Sequence, residues 1–365
     1  MSAGDLSPAP SSQASPTPSR RALLRLALAG AAVGAFAGGL GPAPLVPSAA
    51  ARPATEAAGR FGSPLPDTIT ATAPDLFPEG VAWDPTRKAF LVGSALQGTL
   101  SVVTPDGVVT PLVANFAPVS VLGVHVDLPR GRVLAAYNNY FLRAAGYDLP
   151  PLSGVGVFDL ATGAVRRLVD ISAGSADSAA NDLAVDAHGT VHVTDSIAST
   201  ITHVDRLGVT GTVTDPRFPS PGTGLNGIVA HPAGFLVVSR FVGGPLFRVV
   251  PARPGRPAQV TEVRLDRPVS HLDGLGLRPD GSLVGVMNDL EPRPDGLPGR
   301  DAVLVLRSRD NWRRAHTASD RPWPVPDPTT VAVTPHGDYV LSGQIRNLVT
   351  GVPSPTPGVF HLRRH

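Results

Sequence analysis

Six copies of one short pattern, separated by turn residues and without convincing helical periodicity, predict an all-β protein: a six-bladed β-propeller with four antiparallel strands per blade. In each copy a small or polar residue opens an apolar strand, a turn follows, and a second apolar strand leads out. The copies read PEGVAWDPTRKAFLVGS, LGVHVDLPRGRVLAAYN, NDLAVDAHGTVHVTDS, NGIVAHPAGFLVVSR, DGLGLRPDGSLVGVMN and TVAVTPHGDYVLSG. Counted in phase they begin at Glu79, Gly123, Asn181, Asn226, Asp273 and Thr330, at intervals of 44, 58, 45, 47 and 57 residues. A two-sheet sandwich would not explain six copies in one register.

Each copy is a hairpin because of its turn. Gly131, Gly189, Gly234 and Gly281 fall eight residues after their starts, Gly337 seven after, and the first copy has Arg87 instead. Pro-Asp-Gly, Pro-Ala-Gly and Pro-His-Gly are tight-turn sequences. Between the hairpins, GTLSVVTPDGVVTPL, GVGVFDLATGAVRRLV, STITHVDRLGVTGTV and GPLFRVVP supply the further strands.

The N-terminus is of another kind. A Ser/Pro/Ala tract precedes Arg20, Arg21 and Arg25, then an apolar stretch, then Ser48-Ala49-Ala50-Ala51. That order is a signal peptide, and the paired arginines before a weakly apolar Ala/Gly core resemble a twin-arginine export signal. The run from Leu26 to Leu40 is 15 residues, short of the ~20 that a spanning helix needs. Residues 1–51 are therefore expected to be removed, with 52–73 a linker and first-strand region and 74–365 the propeller. The exported protein would be secreted or held in the periplasm or cell envelope.

Composition narrows the function. The 365 residues carry no cysteine, which excludes disulfides, thiolate metal sites and a Cys nucleophile. Residues 1–51 hold three of the 31 basic and one of the 29 acidic residues, so the mature chain balances at 28 of each. Nothing there marks a nucleic-acid or anionic-membrane surface. A propeller closes its own sheet edges, so a monomer is expected.

In a propeller the first strand of each blade lines the axis, so the opening residues form a ring at one mouth of the channel. That ring holds Glu79, Asn181, Asn226 and Asp273, two carboxylates and two carboxamides converging at one depth. All are oxygen donors, as a hard cation such as calcium requires. With no His or Cys in the ring, zinc and copper are disfavoured. The alternative for each residue alone is a turn or loop position, as in Asn226-Gly227 and Asp273-Gly274.

PEGVAWD, ANDLAVD…VTDS, LNGIV and LDGLGL resemble the senescence marker protein, gluconolactonase and luciferin-regenerating enzyme family, related to paraoxonase-like and diisopropylfluorophosphatase-like propellers. The likeness runs from about Pro74 to the C-terminus. It implies that Glu79, Asn181, Asn226 and Asp273 are metal ligands. Calcium is the usual ion, and Mg2+, Mn2+ or Zn2+ serves some members. It further implies that Asp273 is general base or nucleophile in hydrolysis of a lactone or ester.

A second ring is expected where each second strand returns to the same face: Ser94, Tyr137, Asn138, Asp195, Ser196, Ser239, Arg240 and Asn288. Arg240 would bind a carboxylate or phosphate, or else form a surface salt bridge. Asp195 would accept substrate hydroxyls or, more simply, fix loop backbone. His125 and His271, each two residues from a ring position, are expected near the site in a supporting role or as structural residues. The insert Asn138–Ser153 and the loop Glu291–Arg300 exceed what hairpin closure needs, as lids or exposed loops do. Two functions follow: a calcium-dependent hydrolase acting on a small lactone or ester, or a non-catalytic propeller whose metal stiffens the channel while loops bind a ligand or partner.

Overall fold

The computed structural model describes residues 65–144, 146–291 and 299–365. The expected export signal lies outside the described residues, as do most of the segment that follows it and the stretch 292–298 of the loop after Glu291.

Among the described residues the strands fall into six sheets. β1 (Thr68–Thr72) comes first in the chain but belongs to the last blade. The first blade is β2 (Pro78–Asp84), β3 (Ala89–Ser94), β4 (Leu100–Val103) and β5 (Val109–Val113), hydrogen-bonded in that order. The second is β6 (Ser120–Asp127), β7 (Arg132–Asn138), β8 (Ser153–Asp159) and β9 (Val165–Asp170). The third is β10 (Ala180–Val185), β11 (Val191–Asp195), β12 (Thr200–Val204) and β13 (Val209–Val213). The fourth is β14 (Leu225–His231), β15 (Phe235–Arg240), β16 (Leu246–Val250) and β17 (Gln259–Glu262). The fifth adds the short β18 (Arg264–Leu265), parallel to β22 (Arg314–Pro322), outside β19 (Leu272–Leu277), β20 (Leu283–Met287) and β21 (Ala302–Arg307). The sixth is β23 (Pro328–Thr334), β24 (Gly337–Ser342) and β25 (Val359–Arg364), completed by β1 pairing antiparallel with β25.

The fold is the six-bladed β-propeller that the repeat predicts. Its inner strands β2, β6, β10, β14, β19 and β23 touch in that order, and β23 returns to β2. The N-terminal strand completes the sixth blade and so ties the start of the chain to its end, and each blade keeps only its outer edge.

Six apolar clusters fill the six seams between blades. Leu91, Leu100 and Val113 of the first blade pack on Tyr137, Val133 and Phe158 of the second, for example. Val284, Val286 and Val303 of the fifth meet Val331 and Val340 of the sixth. Alternation along each strand therefore buries both faces of most blades, and the core is divided among the seams.

Two short helices depart from the all-strand expectation: α1 (Tyr140–Ala144), inside the Asn138–Ser153 insert, and α2 (Ile345–Thr350), between β24 and β25. Each is a turn or two long, too short to leave a periodic signal. Both sit over the same mouth of the channel.

Candidate metal centre

Every inner strand carries a one-residue bulge where it enters the channel. Register breaks between Pro78 and Val81, Val121 and Val124, Ala180 and Leu183, Leu225 and Ile228, Leu272 and Leu275, and Pro328 and Thr330. A bulge re-aims its side chain, and here six of them turn one residue per blade toward the axis. The ring so formed is Glu79, Leu122, Asn181, Asn226, Asp273 and Thr329.

Two members differ from the expected phase. Leu122, not Gly123, represents the second blade, because the 3-10 turn Leu128–Arg130 makes its hairpin one residue longer. Thr329, not Thr330, represents the sixth, and Gly337 then falls eight residues on, as in the third, fourth and fifth copies. Gly80, Gly123, Gly227 and Gly274 form the next layer down. A Cβ at Gly80 would overlap the Leu122 carbonyl, and one at Gly227 the Asp273 carbonyl, so glycine lets adjacent inner strands close up.

In that second layer the third blade has Asp182 where four others have glycine. Its Oδ1 accepts from the Leu183 N–H at 2.8 Å and its Oδ2 from the Ile228 N–H at 3.3 Å. The carboxylate that stands in place of glycine in the third copy of the repeat is the signal that the sequence carries for it. A fourth acid, Glu291, reaches the site from the loop after β20, where it accepts from the hydroxyl and the N–H of Thr223.

The four expected ligands do converge. Asn181, Asn226 and Asp273 are buried, and Glu79 is half-buried at the cavity floor. Asn288 Nδ2 donates to Asp273 Oδ2 at 2.6 Å, and the Asn226 side chain also hydrogen-bonds Asp273. Burial, then the charges of Asp273 and Asp182, hold the Glu79 carboxyl well above the usual carboxylate range. Burial pushes Asp273 up to about 7 against those two amide bonds, with Asp182 and Glu291 adding to the rise. Asp182 is likewise raised to about 7 by burial, opposed by the two N–H groups it accepts from.

Among the described residues no Lys or Arg forms a salt bridge with Glu79, Asp182 or Asp273. Three crowded acids with two carboxamides and no positive partner are costly unless a cation sits among them. The donor set, all oxygen, fits a hard divalent ion.

A different acidic group is already compensated. Asp289, Asp301 and Asp327 bring carboxylate oxygens within 4.8 Å of one another. The guanidinium of Arg346 on α2 lies among them, with Nε 2.6 Å from Asp327 Oδ1, Nη2 3.3 Å from Asp301 Oδ1, and Asp289 in contact. This arginine takes the place a metal would need.

The expected second ring serves mainly as a set of staples between blades. Ser94 Oγ donates to Leu76 O, Asn138 Nδ2 to Ala180 O, Ser196 Oγ to Leu225 O, Ser239 Oγ to Asp273 O, and Asn288 Nδ2 to Pro328 O. Asp195 Oδ1 accepts from the N–H groups of Ala179, Ile197 and Ala198 and so fixes loop backbone. Tyr137 packs edge-on to Phe116 in the first seam, and Arg240 donates to the carbonyls of Arg217 and Pro219. Of this group only Asn288 bonds a ring side chain.

Neither histidine meets the ring. His125 lines the opposite mouth, among Val81, Val124 and Leu183, and burial lowers it to about 4 against the pull of Asp127. His271 is buried behind Phe241, edge to face at 4.8 Å, with its Nδ1 2.8 Å from Ser270 Oγ.

Above the ring lies a cavity of about 190 Å³. Phe141 and Leu142 of α1, Leu290, and Ile345, Leu348 and Val349 of α2 form much of its wall. The insert and Glu291, the first residue of the loop, therefore contribute to the site, and α2, which the repeat did not suggest, joins them.

No protein-family model matches this chain, and no curated protein does. Solved structures do match. The chain resembles the major allergen Mala s 1 of Malassezia sympodialis at 19% identity and TM-score 0.64, over 82% of this chain and 96% of that one. It resembles a gluconolactonase from Xanthomonas campestris at 17% identity and TM-score 0.52, over 83% and 91%. A calcium-binding protein, regucalcin, from Agrobacterium tumefaciens matches at 16% identity and TM-score 0.52, over 80% and 91%. The shared feature is the fold. The six-bladed arrangement is that of the gluconolactonase and regucalcin propellers, as the motifs imply, and at these identities the likeness extends no further.

Proposed function

We propose that the protein is an exported, divalent-metal-dependent hydrolase of the lactonase or esterase type, with calcium as the ion. The observation that carries this reading is the meeting of Glu79, Asn181, Asn226 and Asp273, from four separate blades, on the floor of a cavity, with Asp182 beneath them and no salt bridge from a described Lys or Arg to Glu79, Asp182 or Asp273. The calcium binding of the regucalcin with the same fold supports the choice of ion. The basic, apolar and small-residue order of residues 1–51 supports export.

When bound by those four residues, a divalent cation supplies Lewis acidity toward a carbonyl oxygen and offsets the charge that builds there in attack. The chain's own groups do the rest. Asp273 is the base: it takes a proton from water as the water oxygen bonds to the acyl carbon. The acyl C–O bond breaks, and the proton passes to the departing oxygen. Asn288 and Asn226 orient the Asp273 carboxyl for that transfer. The apolar wall limits the number of waters beside the reacting carbonyl.

The test is metal analysis of the processed protein together with a panel of lactones and aryl esters. Chelation is expected to abolish hydrolysis and calcium to restore it, while Asp273→Asn loses turnover and keeps most of its metal. Hydrolysis that survives exhaustive chelation would overturn the proposal. Loss of thermal stability on chelation, with no turnover on any compound, would instead establish the metal as a stiffener of a binding propeller.

A further inference from the structure

We infer that the cavity over the ring takes a small, mainly apolar ester or lactone, an aliphatic or aromatic acyl compound, in preference to a polyhydroxylated sugar lactone or an anionic substrate. The inference relies on the hydrolytic reading for its reaction, but on the cavity walls for its ligand.

The polar groups are confined to the floor and one side. Leu122 shares the floor with them, and Phe141, Phe241, Leu290, Leu348 and Val349 line the rest of the cavity. Leu122 and Ile345 form one apolar cluster with Phe141, Leu290, Leu348 and Val349, so the roof is continuous. Such a surface gains by covering methylene or aromatic groups and loses by covering hydroxyls.

The hydroxyls within the wall are already engaged. Ser120 Oγ donates to Ala95 O at 2.6 Å, Thr329 Oγ1 donates to Glu79 O at 2.7 Å, and Thr223 donates its hydroxyl to Glu291. A sugar lactone entering here would leave several hydroxyls without the water bonds they gave up.

Charge gives an anionic group no partner away from the metal. Among the described residues lining the cavity there is no Arg or Lys, while Glu79, Asp273 and Glu291 all face it. Arg240, the cation expected at this face, is turned to the carbonyls of Arg217 and Pro219. Away from the metal, a carboxylate or phosphate on the substrate would meet no guanidinium from the described lining residues.

Size sets the upper limit. The cavity over the ring is about 190 Å³, small for a ligand pocket. A short alkyl tail or one aromatic ring matches that size beside the reacting carbonyl.

The test uses the calcium-loaded protein and γ-lactones whose alkyl tails grow from none to eight carbons, with glucono-δ-lactone alongside. Binding of the matching γ-lactams, which resist hydrolysis, is measured by calorimetry. We expect kcat/KM to rise about fourfold per methylene and to level off once the cavity is full. Lactam affinity should follow the same curve. Val349→Asn, on α2, and Phe141→Ser, on α1, should each flatten the curve about tenfold while calcium affinity is unchanged. Two variants on separate helices guard against one of them failing to fold. Lactam binding that ignores tail length, or glucono-δ-lactone turned over as well as the alkyl lactones, overturns the inference. Tail-dependent lactam binding without hydrolysis of any compound sustains the ligand class and removes only the catalytic reading.

Discussion

Asn288 Nδ2 reaches Asp273 Oδ2 at 2.6 Å and the Pro328 carbonyl at 3.0 Å, so one carboxamide both aims the ring's acid and ties the fifth blade to the sixth. Replacing it with Leu keeps the volume and removes both bonds. Outer partners of ligating or reacting groups typically contribute 10- to 100-fold. Asn288→Leu is expected to lower kcat by about that factor and to weaken calcium binding in the same range. Steady-state kinetics and a calcium titration check it, and unchanged values for both would show the contact to be idle.

Asp182 adds a third carboxylate beneath the ring, where it raises the pKa of both Glu79 and Asp273. Asp182→Asn removes the charge and keeps one oxygen, which can go on accepting from the Leu183 N–H while the longer bond from the Ile228 N–H is given up. The metal-free variant should therefore melt higher than the metal-free parent. Calcium at a hundred times its Kd should stabilise the parent by about 2.7 kcal/mol, and the variant gains less at that same calcium concentration. Thermal melts with and without chelator measure both differences.

Arg346 joins α2 to Asp289, Asp301 and Asp327. Arg346→Met leaves three neighbouring carboxylates without a cation and frees the helix that roofs the cavity. The cost is about 1–3 kcal/mol, discounted for the partial exposure of the side chain. Arg346→Lys is expected to recover little, since one ammonium cannot reproduce a planar fork shared among three acids. Hydrogen exchange should quicken in Ile345–Thr350 before it does in the blades.

His192 and His203 share a hydrogen bond between their Nδ1 atoms at 2.7 Å, with Asp186 3.3 Å from His192 Nε2. Burial, then the neighbouring His192, lowers His203 to about 4. A histidine depressed in the folded state binds its proton more readily when unfolded. Its stabilisation is complete above the ordinary value near 6.5 and is lost as pH falls from there toward 4. That shift corresponds to about 3 kcal/mol. Urea unfolding of the parent and of His203→Gln should show their difference shrinking by about this amount between pH 7.5 and 4. A constant difference would contradict the assignment.

How much was legible in advance can be argued from single positions. Glu79, Asn181, Asn226 and Asp273 stand out because four oxygen donors share one phase of a repeat, and the structure brings all four to the same depth. In the second and sixth blades the repeat phase points one residue late, to Gly123 and Thr330 in place of Leu122 and Thr329, because the bulge that decides the matter leaves no mark in hydropathy. Asn138 and Ser196 looked like substrate contacts because they return to the right face. In the fold they meet a neighbouring blade's carbonyl before any ligand can.

The sequence by itself determined the number of blades, the closed all-β architecture and the chemical nature of the central donors, because alternation, turn residues and repeat phase are local and recur six times. The tertiary structure alone decided which residue of each bulge faces the axis, that Asp182 and Glu291 join the acids, and that α1 and α2 roof the ring with apolar side chains. Those outcomes depend on what the adjacent blade presents, from dozens of residues away along the chain. A hydrogen bond or a seam contact across that distance has no periodicity to announce it.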